Sequence, residues 1–193
     1  MENVYQRPES MTGTPFSFRP IREHAHIFRL IGELVDELHI REKTIGVVGI
    51  GVSSFMPEFF NFDFISAAHG RAPSVASGIK TVNPDNTIFT YQGYRDLAER
   101  GISDLLHRAT DNCNITSIYV NNSFNTTESE FSIFPLEETE YTKKFTPESH
   151  FPVAEILAAT KVPCFVARGA LYNDESTRTL KKYLKAAFEK QIK

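Results

Sequence analysis

Apolar residues recur at helical steps from Ile27 through Leu30, Ile31, Leu34 and Val35 to Leu38, while Glu33, Asp36 and Glu37 fall on the other side. That spacing predicts an amphipathic helix packed on a core. The pattern then shortens. Thr44 to Ile50 is a compact apolar run with glycines and reads as a buried strand entering a turn at Gly51-Val52-Ser53. From about Ser66 to Lys80 the chain carries small residues at a helical rhythm, which suits close packing against a sheet or another subunit. Asn83-Pro84-Asp85-Asn86 is a turn signal, and Thr87 to Tyr91 is a second apolar strand. After an amphipathic helix comes a third strand, Ile115 to Val120, ending in paired amides. The chain then gives a helix over Pro152 to Thr160, a strand over Cys164 to Val166 and a helix from about Asp174 to Lys190. In the last helix Leu180, Tyr183, Leu184, Ala187 and Phe188 form the buried face, and Lys181, Lys182, Lys185 and Lys190 the wet one.

Strands alternating with helices predict an α/β fold with one open, mainly parallel sheet and helices on both faces. Residues 1–18, with Pro8, Gly13 and Pro15, read as an extended N-terminal arm suited to lying on a neighbour. Residues 19–193 read as a single domain. Within it, 125–150 is a long acidic loop carrying Glu128, Glu130, Glu137, Glu138, Glu140 and Glu148.

In such folds ligands bind beyond the strand ends, which draws attention to Tyr91-Gln92-Gly93-Tyr94-Arg95-Asp96 and to Val120-Asn121-Asn122. Glycine at a strand end admits phosphate oxygens to backbone N–H groups, and an Asn past the next strand offers a neutral oxygen to a hard cation. The anionic oxygen such a cation needs is missing after Gly93. Tyr94 is a phenol, a poor ligand for Mg²⁺ at neutral pH, and Arg95 is a fixed positive charge. The plainer alternative is that Gly93 is only a turn and Asn121-Asn122 a polar strand end.

Composition narrows the class without naming it. The 193 residues are 41% hydrophobic with a net charge of -3, enough for one filled core and unsuited to seeking nucleic acid. No apolar run of about 18 residues and no signal-peptide pattern is present, so the expected address is cytoplasmic, without membrane insertion. Cys113 in a polar turn reads as a surface thiol and Cys164 as a small core residue. Three Asn-x-Ser/Thr tripeptides, at Asn114, Asn121 and Asn125, read as coincidence outside a secreted chain. His24 and His26 beside Arg22 make a poor metal pair, and Arg71 suits a structural ion pair.

The run from Phe59 to Lys80, with His69-Gly70-Arg71 at its centre, resembles the β subunits of 2-oxoacid:ferredoxin oxidoreductases. So do Phe89-Thr90-Tyr91-Gln92-Gly93, Val120-Asn121-Asn122, Phe151 to Leu157 and Phe165-Val166-Ala167-Arg168, so the likeness covers nearly the whole chain. The resemblance implies a thiamine diphosphate-binding fold of the pyrophosphate type. It also implies a partner subunit that carries the pyrimidine-binding domain, or self-association as a dimer. Matched position by position, the family's Mg²⁺-binding Asp falls on Tyr94, its next Gly on Arg95 and its following Asp on Asp96, which is kept. The side-chain Mg²⁺ ligand falls on Asn122 and the backbone ligand on Phe124. His69 matches a position near the diphosphate, where it either donates to an anion or is held by packing alone. The family's glycine loop corresponds to Asn125-Thr126-Thr127-Glu128-Ser129-Glu130, without a glycine and with two carboxylates.

The family's iron-sulfur ligands, carried over in the same way, fall on Arg19, Arg22 and Val52, none of them a thiolate. Arg19, Arg22 and Arg95 would need anionic partners, which the Glu-rich 125–150 loop could supply. The expectation is therefore a degenerate β subunit: a scaffold or regulatory pseudoenzyme without cluster or Mg²⁺, its vestigial site lined by Ser53, His69, Gly93, Tyr94, Arg95, Asp96, Asn122 and Phe124. One alternative is a subunit that still takes part in thiamine diphosphate-dependent decarboxylation, with Arg95 serving as counter-charge to the diphosphate. Another is a small-anion sensor using the Gly93 and Ser53 turns.

Overall fold

A computed structural model describes residues 6–15, 22–121, 151–162 and 164–192. Four parallel strands form one open sheet in the order β2-β1-β3-β4, with β1 at Thr44–Val48, β2 at Asp63–Ser66, β3 at Thr87–Gly93 and β4 at Thr116–Val120. β3 is central and buried along nearly its whole length. Helix α1 (Arg22–Glu37) and the last helix, α5 (Asp174–Glu189), cover one face; α2 (Ala72–Val82) and α3 (Ile102–Thr110) cover the other, joined by α4 (Val153–Ala159). This is the α/β architecture that the alternating pattern predicts.

Alternation along the strands assigns the two faces. Val48, Phe89, Tyr91 and Ile118 point into the core under α1 and α5, and Val47 and Ile88 point under α2. The first core is an aromatic chain. Phe28 meets Tyr91 edge-on at 5.2 Å, Phe62 stacks on Phe64 at 5.0 Å, and Phe89 meets Phe188 edge-on at 5.8 Å. Gly46 is needed because the Phe64 ring lies 2.2 Å from where a Cβ would sit. Gln191, just past α5, bonds both the N–H and the carbonyl of Ile88 at 2.9 Å and donates to Thr116 Oγ1 at 2.5 Å, fastening the end of the helix to two strands.

Several elements differ from the sequence reading. The stretch read as one helix from Ser66 to Lys80 holds the last residue of strand β2, a turn over 67–71 and then helix α2. Gly70, at φ +77°, breaks the chain between them, and Pro73 in the first turn starts the helix. The strand expected at Cys164–Val166 is irregular, and Cys164 is exposed where a core residue was expected; Cys113 is half-buried. No strand among the described residues lies beside Cys164–Val166 to pair with it. Lys181, read as wet, bridges Glu33 (2.8 Å) and Glu37, tying α5 to α1. Residues 6–15 lie on the chain's own α1: Glu9 and Ser10 donate backbone N–H groups to Asp36, Ser10 Oγ donates to the Gly32 carbonyl, and Met11 bridges Phe60. The 125–150 loop lies outside the described residues.

His24, in the first turn of α1, is buried against the sheet, and its Nδ1 lies 2.7 Å from the Tyr91 hydroxyl. Burial lowers its pKa from 6.5 to about 4, so the imidazole is neutral in the fold. The unfolded chain takes up this proton first as pH falls. Stability is therefore unaffected above pH 6.5 and declines between 6.5 and about 4, by about 3 kcal/mol in all. Thermal unfolding followed across this window should show that decline, and His24→Gln should flatten it.

Candidate functional site

The C-terminal ends of β1 and β3 converge on one buried carboxylate. Asp96, 1% exposed, lies in a π-helical turn, Arg95–Gly101, that runs directly from β3 into α3. Its Oδ1 lies 2.5 Å from His69 Nδ1 and accepts the Gly70 N–H at 2.8 Å; its Oδ2 accepts from Gln92 Nε2 at 2.6 Å. Both oxygens are occupied, and the acid is tied to β3 and to the loop after β2. Around it the backbone closes in. A Cβ on Gly49 would stand 1.9 Å from Oδ2, and one on Gly101 would meet the carbonyls of Asp96 and Gly70 at 2.9 Å. Only bare backbone leaves room for the carboxylate here.

Tyr94, two residues before Asp96, turns the other way. Its ring packs with Tyr119 against Leu97, Ala98, Leu105 and Val153, joining the π-helical turn to β4 and α4. Burial first, and then the neighbouring Tyr94, hold the Tyr119 phenol well above its ordinary pKa. Gly93 is the last residue of β3, and among the described residues nothing lies within 4 Å of its Cβ position. Arg95 is half-buried at the start of the turn. His69, with 31% of its side chain exposed, presents the remainder of its ring beyond the Asp96 bond. Arg71 pairs with Asp104 at 2.5 Å, and Ser74 donates to the same carboxylate, joining α2 to α3.

The structure thus brings together His69, Gly93, Tyr94, Arg95 and Asp96. Ser53 is buried at the start of a 3₁₀ helix, Val52–Phe59, and its Oγ finds no partner among the described residues. Val52 opens that helix and Arg22 opens α1, whereas Arg19, Asn122 and Phe124 lie outside the described residues. Sequence reasoning missed Gln92 and Gly49 as members of the carboxylate's shell. The available signal was polarity: Thr90 and Gln92 alternate in a strand covered on both faces, where apolar residues are the rule.

Residues 45–192 match the model of the thiamine pyrophosphate enzyme C-terminal TPP-binding domain. The chain belongs to the thiamine pyrophosphate enzymes, on the branch of the 2-oxoacid:ferredoxin oxidoreductase β subunits. It is 26% identical over 198 aligned positions to ketoisovalerate oxidoreductase subunit VorA of Methanothermobacter thermautotrophicus, covering 99% of this chain and 42% of that protein. It is 32% identical over 140 positions to 2-oxoglutarate synthase subunit KorB of Methanocaldococcus jannaschii, covering 72% and 50%. The solved 2-oxoglutarate:ferredoxin oxidoreductase of Magnetococcus marinus, bound to 2-oxoglutarate, coenzyme A and succinyl-CoA, shares the fold. It superposes at a TM-score of 0.75 with 24% identity, covering 98% of this chain and 65% of that one. The chain spans less than two thirds of the length of each of these three relatives.

The described residues at the strand ends do not fit a carboxylate-held Mg²⁺. A hard dication needs anionic oxygen, yet the ligand position carries a phenol packed among apolar side chains and both Asp96 oxygens already accept hydrogen bonds. Nor do the described residues fit a cubane cluster, which asks for four soft ligands. Val52 offers no donor, and the thiols of Cys113 and Cys164 lie away from it, lining the groove beside β4.

Removing the carboxylate should strand its buried donors. Asp96→Ala is expected to cost about 3 kcal/mol in chemical denaturation. Gly49→Ala should also destabilise, by crowding the same oxygen. Because the two changes damage one contact, the double variant should lose clearly less than the sum, a shortfall a double-mutant cycle will read.

Proposed function

We propose that this chain serves as a β-type subunit of a 2-oxoacid oxidoreductase assembly, contributing the thiamine diphosphate fold as a scaffold or regulatory module. On this reading it does not hold Mg²⁺-thiamine diphosphate by the family's route and carries no iron-sulfur cluster. The observation that carries the reading is the packing of Tyr94: the side chain at the cation-ligand position joins an apolar cluster, while the acid two residues on is consumed by His69, Gly70 and Gln92. The partner is the subunit that supplies the pyrimidine-binding domain, or a second copy of this chain, and the setting is the cytoplasm. No described helix is long and apolar enough to cross a membrane.

One observation favours a second reading. Among the described residues nothing lies within 4 Å of the Gly93 Cβ position, and Arg95 and the partly exposed His69 flank this strand end, which supports a diphosphate whose counter-charge is a guanidinium. In that case a subunit active in decarboxylation, or a sensor of small anions, would bind phosphate groups without metal.

Calorimetric titration with thiamine diphosphate separates the readings. Silence with and without Mg²⁺ is expected. Metal-independent binding would favour the second reading, and tight binding only with Mg²⁺ would overturn both. Tyr94→Asp combined with Arg95→Gly should recover part of the Mg²⁺-dependent affinity if these two side chains are the block.

A further inference from the structure

The turn after β2 holds the His69 ring in one orientation. Ala67 donates its N–H to the Val48 carbonyl at 2.8 Å, and Arg71 donates to the Ala68 carbonyl at 2.9 Å. Gly70 lies so close to the π-helical turn that a Cβ there would stand 2.7 Å from the carbonyl carbon of Arg100. The imidazole is then gripped at Nδ1 by Asp96, a carboxylate 1% exposed and itself fixed by Gly70 and Gln92. An ionised carboxylate only accepts, so Nδ1 carries the proton and Nε2 of the neutral ring keeps a lone pair.

That second nitrogen is available. His69 keeps 31% of its side chain exposed and makes no further hydrogen bond or ion pair among the described residues. Of the two arginines beside the turn, Arg71 is committed to Asp104. Arg100 is exposed, its Cβ lies 2.9 Å from the Gly70 Cβ position, and it makes no ion pair among the described residues. A nitrogen nucleophile oriented by a buried acid, with an uncommitted guanidinium within reach, suits the capture of a phosphoryl group.

We infer that His69 is a phosphorylation site, its Nε2 taking a phosphoryl group from a donor of the phosphoramidate class. The bond that forms joins Nε2 to phosphorus, and the bond that breaks is the donor's P–N bond. The amine leaves as ammonia, and Nδ1 keeps its proton on the Asp96 bond. Asp96 is a positioning residue: it selects the tautomer and offsets the positive charge that the ring acquires. Arg100 meets the phosphoryl oxygens. The step is independent of thiamine diphosphate, so calorimetric silence with that cofactor leaves it standing.

The probe is potassium phosphoramidate, incubated with the full chain at neutral pH. Mass spectrometry locates the modified residues, and phosphorus NMR tells the Nε2 isomer from the Nδ1 isomer. His39 and His107 serve as internal references, because both are more exposed than His69 and neither has a carboxylate partner among the described residues. Modification of His69 at Nε2 is expected, at least about tenfold faster than at either reference. Arg100→Gln, a surface change, should slow it by about tenfold, and Asp96→Asn should remove the preference for Nε2. The proposal is overturned if His69 stays unmodified, reacts at Nδ1 or reacts no faster than the references. It is also overturned if Arg100→Gln leaves the rate unchanged, or if an Asp96→Asn chain shown by circular dichroism to be folded keeps the Nε2 preference. Should that variant not fold, the isomer and the relative rate in the unaltered chain decide by themselves.

Discussion

A single buried carboxylate organises the open end of this sheet. Asp96 accepts from an imidazole and a backbone N–H of the loop after β2, His69 and Gly70, and from the carboxamide of Gln92 in β3. Burying an ionised acid is costly unless its oxygens are met by donors, so the loop after β2, the end of β3 and the π-helical turn must arrive together. The glycines at 49, 70 and 101 are the steric counterpart of this demand. Gly49 leaves room for the carboxylate itself, Gly70 lets its backbone lie against that of Arg100, and Gly101 lets its backbone lie against the carbonyls of Asp96 and Gly70. The π-helical turn follows from the same requirement, since it lets β3 pass into α3 without an intervening loop while keeping Asp96 turned inward.

With Asp96 committed inward, the character of position 94 decides what the strand end can hold. A carboxylate there would remain free to meet a cation beyond the sheet, whereas a phenol with an apolar ring gains more from the cluster of Leu97, Leu105 and Val153. Tyr94 and Tyr119 thus join the π-helical turn, β4 and α4 into one small core. At this strand end the side chain of position 94 contributes packing to the fold.

The opposite side of the sheet depends on a different device. Its aromatic chain from Phe60 through Phe64 and Phe89 to Phe188 is continuous, and α1 and α5 lock over it through the Lys181 bridge to Glu33 and Glu37. Rigidity is therefore concentrated around β1 and β3. The outer edge of β4 lies away from both the aromatic chain and the carboxylate hub, and there Ser117 Oγ and Tyr119 OH have no partner among the described residues.

The period of the apolar residues was sufficient to find α1, β1, β3, β4 and α5, because each buries a regular face and the burial free energy follows that face. The absence of a carboxylate at Tyr94 was equally plain from the letters alone, since ligand chemistry resides in residue type. Local pattern could not divide Ser66 to Lys80, where small residues suit strand, turn and helix alike and the break is set by the backbone of Gly70 against Arg100. Nor could it show that Asp96 faces inward, that Gln92 belongs to it, or that Cys164 stays exposed. Those outcomes depend on neighbours far apart in the chain, and hydrogen bonding and close packing act through space, so only the assembled sheet decides them.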